Sequence, residues 1–90
     1  MLKKTVKKTV KTAEGYRIGI VASRYNSRYV NSMLRAAKGE LFKSKASVEV
    51  VRVPGAFEIP AVASALALRL DRPVDAIVCL GVILRGETSH

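Results

Sequence analysis

Ninety residues, 49% of them hydrophobic, bound the chain to one small domain with a thin core and leave no room for a second. A single cysteine, Cys79, excludes an intrachain disulfide framework and fits a reducing, cytoplasmic setting. The formal charge of +9 belongs mostly to one end: Lys3, Lys4, Lys7, Lys8 and Lys11 fall within residues 1–12 beside no acid, and eleven basic against seven acidic side chains remain beyond them.

Residues 1–15 therefore read as a solvated basic tail and residues 16–90 as the folded part. No aromatic ring is interleaved with the tail lysines, so base stacking has no support there and no nucleic-acid partner is expected. No stretch reaches the roughly 18 apolar residues of a membrane span, and the N-terminus lacks the apolar segment of a secretory signal.

After Glu14-Gly15 the first element is Arg17–Ser23, RIGIVAS, continuously apolar at its centre as a strand covered on both faces should be. Asn26 or Ser27 then offers a helix cap. Val30, Met33, Leu34, Ala37 and Leu41 follow at i, i+3, i+4, i+7 and i+11, one apolar stripe on a helix over about 28–43. Ser44-Lys45-Ala46 ends that pattern. Val48–Val53 is a second strand, stopped by Pro54-Gly55. Pro60 suits the first turn of a second helix, whose body from Ala61 to Leu70 is apolar almost all round and so predicts burial between the sheet and another layer. Asp71-Arg72-Pro73 stops it, and Ala76–Leu84 is a third strand. As the most apolar element, this strand is expected at the centre of the sheet.

The order β-α-β-α-β predicts a parallel sheet with right-handed crossovers in an α/β, three-layer, flavodoxin-like arrangement. It is incomplete. A sheet that stops at an apolar third strand leaves an exposed edge, so more chain or a covering partner is expected.

Three turns should converge at one sheet edge: Ser23–Asn26, Val53–Glu58 and Gly86–His90. Together they offer aromatic rings, a carboxylate, a run of backbone N–H groups and the only histidine of the chain, His90. That set suits a planar polar heterocycle with an anion held nearby. Each residue also has an ordinary structural reading. Tyr25 can be loop packing, Phe57 core, Glu58 a partner of a helix dipole, Gly86-Glu87-Thr88 a simple turn, and His90 a solvated end. The GxxxxGK[ST] and GxGxxG phosphate signatures are not present.

At these turns the chain resembles the 6,7-dimethyl-8-ribityllumazine synthase family of riboflavin biosynthesis. The resemblance rests on IGIVASRYN (Ile18–Asn26), VRVPGAFEIP (Val51–Pro60) and GVILRGETSH (Gly81–His90), and runs from about Tyr16 to His90. It implies a transferase that condenses 5-amino-6-(D-ribitylamino)uracil with 3,4-dihydroxy-2-butanone 4-phosphate, without metal or redox cofactor. Position by position, it implies that Tyr25 stacks on the pyrimidine, and that Ala56, Phe57 and Glu58 hold the ring and ribityl chain. Backbone groups of Val82, Ile83 and Leu84 would bond the pyrimidine edge, Gly86, Glu87 and Thr88 would bind the phosphate, and His90 would transfer protons. It further implies a cytoplasmic homo-oligomer, a pentamer or multiple of pentamers, with riboflavin synthase acting downstream. The family's pattern continues past this histidine, so little or no turnover is expected of these 90 residues by themselves. The alternative reading is a catalytically impaired fragment, or a non-catalytic module that binds flavin or lumazine.

Overall fold

The computed structural model describes residues 13–83. Strand β1 (Arg17–Ser23) is followed by helix α1 (Ser27–Lys43), strand β2 (Ser47–Val53), a single 3₁₀ turn (Ala56–Glu58) that runs into helix α2 (Ile59–Ala67), and strand β3 (Ala76–Leu80). The three strands form one parallel sheet in the order β2-β1-β3. The β1–β2 register is Ile18↔Val48 through Ser23↔Val53, and the β1–β3 register is Ile18↔Ala76 through Ala22↔Leu80.

Alternation along β1 decides which helix covers which face. Ile20 and Ala22 point to one side, where they pack with Val30 of α1 and with Leu34, Ala37, Leu41, Val48, Val50 and Val78. Val21 points to the other, where Val53, Ile59 and Leu66 close over it. The sheet is thus sandwiched between α1 and α2, which gives the three layers that the β-α-β-α-β order predicts. Ile20, Val21, Ala22 and Val30 have no exposed surface. Burying each of the larger three contributes about 1.5–3 kcal/mol. Gly19 belongs to the α2 face and allows that helix its close approach, since a Cβ there would lie 2.7 Å from Leu66 Cδ2.

Several expectations are corrected. The central strand is β1, and β3 has one partner among the described residues. The chain's first crossover places β2 on one side of β1 and its second places β3 on the other, so sequence order and apolar content do not set the central position. Strand pairing in β3 stops at Leu80, with Gly81–Ile83 outside the ladder. Helix α2 begins at Ile59 and ends at Ala67, so Leu68 and Leu70 lie beyond it at 75% and 93% exposure. Its outer side, with Ala61, Ser64 and Ala65, is exposed among the described residues. In α1 the stripe holds except at Met33, which sits at the margin of the stripe and is exposed. Finally, Asn26 occupies the N-cap position of α1 in a left-handed conformation (φ 57°, ψ 48°), and neither it nor Ser27 caps the helix with its side chain.

Candidate functional site at the carboxyl rim of the sheet

The carboxyl ends of all three strands open on one cleft of about 370 Å³, lined by Tyr25, Pro54, Gly55, Ala56, Phe57, Glu58, Val82 and Ile83. Its size falls within the range of small-molecule sites. Its place follows from the fold: β1 runs on into α1 on one face of the sheet and β2 into α2 on the other, and where these connections diverge a crevice opens outside the carboxyl ends of the strands.

Each wall has its own local cause. On the first, β1 gives way at Ser23 to a turn tied to β2: the Arg24 N–H donates to Val53 O at 2.7 Å, and the Tyr25 N–H donates to Pro54 O at 3.1 Å. A left-handed residue is then needed to turn the chain into α1, and Asn26 takes it, the residue type other than glycine that best tolerates that conformation. On the second wall, Pro54 cannot continue the β2 ladder because it has no N–H. The 3₁₀ turn that follows carries Phe57 outward, at 78% exposure, so the core reading of this ring is overturned. Tyr25 is 44% exposed. Glu58 does have a local structural partner: its Oε1 accepts the Gly55 N–H at 2.8 Å, which fixes the carboxylate at the start of the turn. The third wall is the exit of β3. Gly81 lets it run beside the 3₁₀ turn, because a Cβ there would lie 3.0 Å from Ile59 Cδ1 and 3.2 Å from Ala56 Cβ.

The structure therefore brings together Tyr25, Ala56, Phe57, Glu58, Val82 and Ile83, drawn from three separate segments. Leu84, Gly86, Glu87, Thr88 and His90 lie outside the described residues, as does the lysine-rich segment 1–12. Two further features at this rim go beyond the sequence reading, which took Asn26 as a turn residue and helix cap and gave Arg52 no role. The Asn26 amide nitrogen is buried and has no hydrogen-bond partner among the described residues, an orphan donor beside Tyr25 in the chain. Arg52, on the α1 face of β2, extends its guanidinium to the end of β1, with Nε donating to Ala22 O at 3.2 Å and Nη2 to Ser23 O at 2.9 Å. Nothing in the sequence distinguishes Arg52 from a surface arginine.

The shifted ionisation lies elsewhere, at the opposite end of the sheet layer. Glu49 and Arg69 form a two-pronged pair, with Nη1–Oε2 at 2.9 Å and Nη2–Oε1 at 2.7 Å. The Arg69 hydrogen bond holds the Glu49 carboxyl below its ordinary value, and the reciprocal bond raises Arg69. The same guanidinium donates to Arg72 O at 2.7 Å, which ties β2 to the α2–β3 loop. This pair is structural. No helix among the described residues is long and apolar enough to cross a membrane.

Comparison with known proteins agrees with the geometry. A family model described as 6,7-dimethyl-8-ribityllumazine synthase matches residues 15–90. Among curated relatives, the 6,7-dimethyl-8-ribityllumazine synthase of Desulfotalea psychrophila is 42% identical over 81 residues, which cover 87% of this chain and 51% of the relative. Those of Desulfatibacillum aliphaticivorans and Aquifex aeolicus are each 42% identical over 82 residues, covering 88% of this chain and 52% of the relative. The chain thus spans about half the length of the curated relatives it matches. With a family match over residues 15–90 and curated relatives 42% identical, the chain belongs to the 6,7-dimethyl-8-ribityllumazine synthase family.

Proposed function

We propose that the chain carries the heterocycle-binding part of a lumazine-forming active site. The complete reaction joins 5-amino-6-(D-ribitylamino)uracil and 3,4-dihydroxy-2-butanone 4-phosphate into 6,7-dimethyl-8-ribityllumazine, with loss of phosphate. The observation that carries this reading is the cleft that Tyr25 and Phe57, two exposed rings from different strand exits, line together with Glu58 and the end of β3. A planar, polar ring is the ligand such a surface suits, because aromatic faces receive it and backbone groups at a strand end can bond its edge.

In this reading Tyr25 stacks on the pyrimidine. Ala56, Phe57 and Glu58 hold the ring and its ribityl chain. One Glu58 oxygen is engaged by the Gly55 N–H, which orients the carboxylate for a sugar-alcohol hydroxyl. Backbone groups of Val82, Ile83 and Leu84 bond the pyrimidine edge. Gly86, Glu87 and Thr88 bind the phosphate, and His90 moves protons. The 5-amino group attacks the ketone and a first water leaves to form the imine; phosphate is then eliminated, and the ribitylamino nitrogen closes the ring on the remaining carbonyl with loss of a second water to give the lumazine. An imidazole titrates near neutral pH and can serve such steps without a large shift. Holding two reactive small molecules together supplies much of the remaining acceleration. A cytoplasmic homo-oligomer, a pentamer or multiple of pentamers, with riboflavin synthase using the product, belongs to the same proposal.

The test is product formation from the two substrates, followed through lumazine absorbance and fluorescence, in the chain and in His90→Ala. Product that falls at least a hundredfold in His90→Ala supports the full reading, since a positioned acid–base group contributes about 10²–10⁴-fold. Ligand binding with no product at any protein concentration would leave the chain a binding module and overturn catalysis by these 90 residues.

A further inference from the structure

We infer that Arg52 is a positioning residue: its guanidinium clamps the exit of β1 and so holds the Tyr25 ring at the mouth of the cleft. This inference rests on the proposed role of Tyr25 and deepens it.

The β1–β3 ladder ends at Ala22↔Leu80, so Ser23 is the first residue beyond it. Strand β2 meanwhile ends at Val53 and is followed by Pro54, which has no N–H to give. The backbone of the turn that carries Tyr25 therefore leaves the sheet where the supply of backbone donors runs out. Arg52 fills this gap from its side chain. It belongs to the same face as Val48 and Val50, and where those point into the α1 core it reaches along the sheet instead, with Nε on Ala22 O at 3.2 Å and Nη2 on Ser23 O at 2.9 Å. The guanidinium is a rigid fork of donors, so two bonds from one planar group fix both the position and the direction of the carbonyls it grips. Ser23 is the only buried polar residue among those described, with no exposed surface. A charged donor on its carbonyl in that setting is worth more than an exposed contact.

The two backbone bonds of the turn, Arg24 N–H to Val53 O and Tyr25 N–H to Pro54 O, follow directly after the clamped carbonyls. Ala22 and Ser23 are thus held from the Arg52 side chain, and Arg24 and Tyr25 from the ends of β2. All four attachments converge on Arg52–Pro54. Removing the guanidinium leaves the strand core intact, because Ile20 and Val21 are sealed independently of it. It loosens the segment that sets where the Tyr25 ring lies, leaving that segment the Arg24 and Tyr25 backbone bonds and the Ser23 hydroxyl's bond to Tyr25 O at 3.5 Å.

The experiment is a fluorescence titration of 6,7-dimethyl-8-ribityllumazine against the chain and its Arg52→Gln, Arg52→Lys, Tyr25→Ala and Arg52→Gln/Tyr25→Ala variants, together with amide hydrogen exchange without ligand. Arg52→Gln should weaken binding about tenfold, and Arg52→Lys, which keeps one donor and loses the fork, should recover part of it. If Arg52 acts through the ring, the double variant binds no more weakly than Tyr25→Ala alone. Additive losses would overturn the inference. In the exchange arm, the Arg24 and Tyr25 amides of Arg52→Gln should exchange at least tenfold faster while those of Ile20 and Val21 hold their protection. Equal change at all four, or none, would also overturn it. Absence of lumazine binding by the unaltered chain would instead sink the proposed function, and the exchange arm would still decide the role of Arg52.

Discussion

Strand β1 and its exit lie a few residues apart and treat apolar surface in opposite ways. Ile20, Val21 and Ala22 have no exposure, sealed by α1 on one side and α2 on the other. At the rim, Tyr25 is 44% exposed and Phe57, across the cleft, is 78% exposed. Large rings left in water contribute little to folding, and here they are held out by specific devices: a left-handed Asn26, a proline that ends β2, and a 3₁₀ turn fixed by Glu58. The comparison teaches that one short sheet divides its labour by position along the strand. Its middle supplies stability, and its carboxyl rim leaves apolar rings exposed around the cleft on which the proposed function rests.

The largest expected effect is in the middle. Ile20→Ala removes side-chain volume from a fully buried site and should cost about 3 kcal/mol in chemical unfolding. A loss below about 1 kcal/mol would break the contrast at its stable end. Next, Gly19→Ala should cost about 1 kcal/mol, because its Cβ would meet Leu66 Cδ2 at 2.7 Å. The Gly19→Ala/Leu66→Ala double variant should cost less than the sum of the two single changes, since both act on one contact. At the rim, Phe57→Ala should change stability by no more than about 0.5 kcal/mol, given its exposure. A large destabilisation there would mean that the ring is core after all.

The smallest effect sharpens the account by separating structural charge from the site. Glu49 has its carboxyl held below the ordinary value by Arg69, so its contribution is fully present above the unfolded-state value of about 4.3. It is lost as pH falls through the lower folded-state value. In acid unfolding curves Glu49→Gln should therefore flatten the loss of stability below about pH 4. The rim is expected to show no such dependence on this pair. A curve unchanged by the substitution would show that the two-pronged bond carries no net linkage.

The elements were legible because hydrophobic periodicity reports burial, and burial here is simple. The continuous run Ile18–Ala22 could only be a strand covered twice, and Val30, Leu34, Ala37 and Leu41 could only be one helix face. Sheet order was not legible, since apolar content placed β3 at the centre although crossover geometry gives that place to β1. The extent of β3 and the helical span to Leu70 were overread, because apolar residues continue where hydrogen bonding stops. In the candidate site, Tyr25, Ala56, Phe57 and Glu58 could be gathered from the Pro-Gly and strand-exit signals. The Arg52 clamp could not, as its meaning depends on neighbours far away in the chain: Arg52 grips carbonyls 29 and 30 residues before it. No periodicity encodes such a contact.

The account turns on whether the carboxyl-rim cleft receives a lumazine-type heterocycle against Tyr25. Its most direct test is the affinity for 6,7-dimethyl-8-ribityllumazine in the chain and in Tyr25→Ala, each with its unfolding midpoint. Stacking on an aromatic ring is worth about 1–3 kcal/mol, so a loss of about tenfold or more at an unchanged midpoint is the predicted result. Equal affinity in the two proteins, at any midpoint, would contradict it.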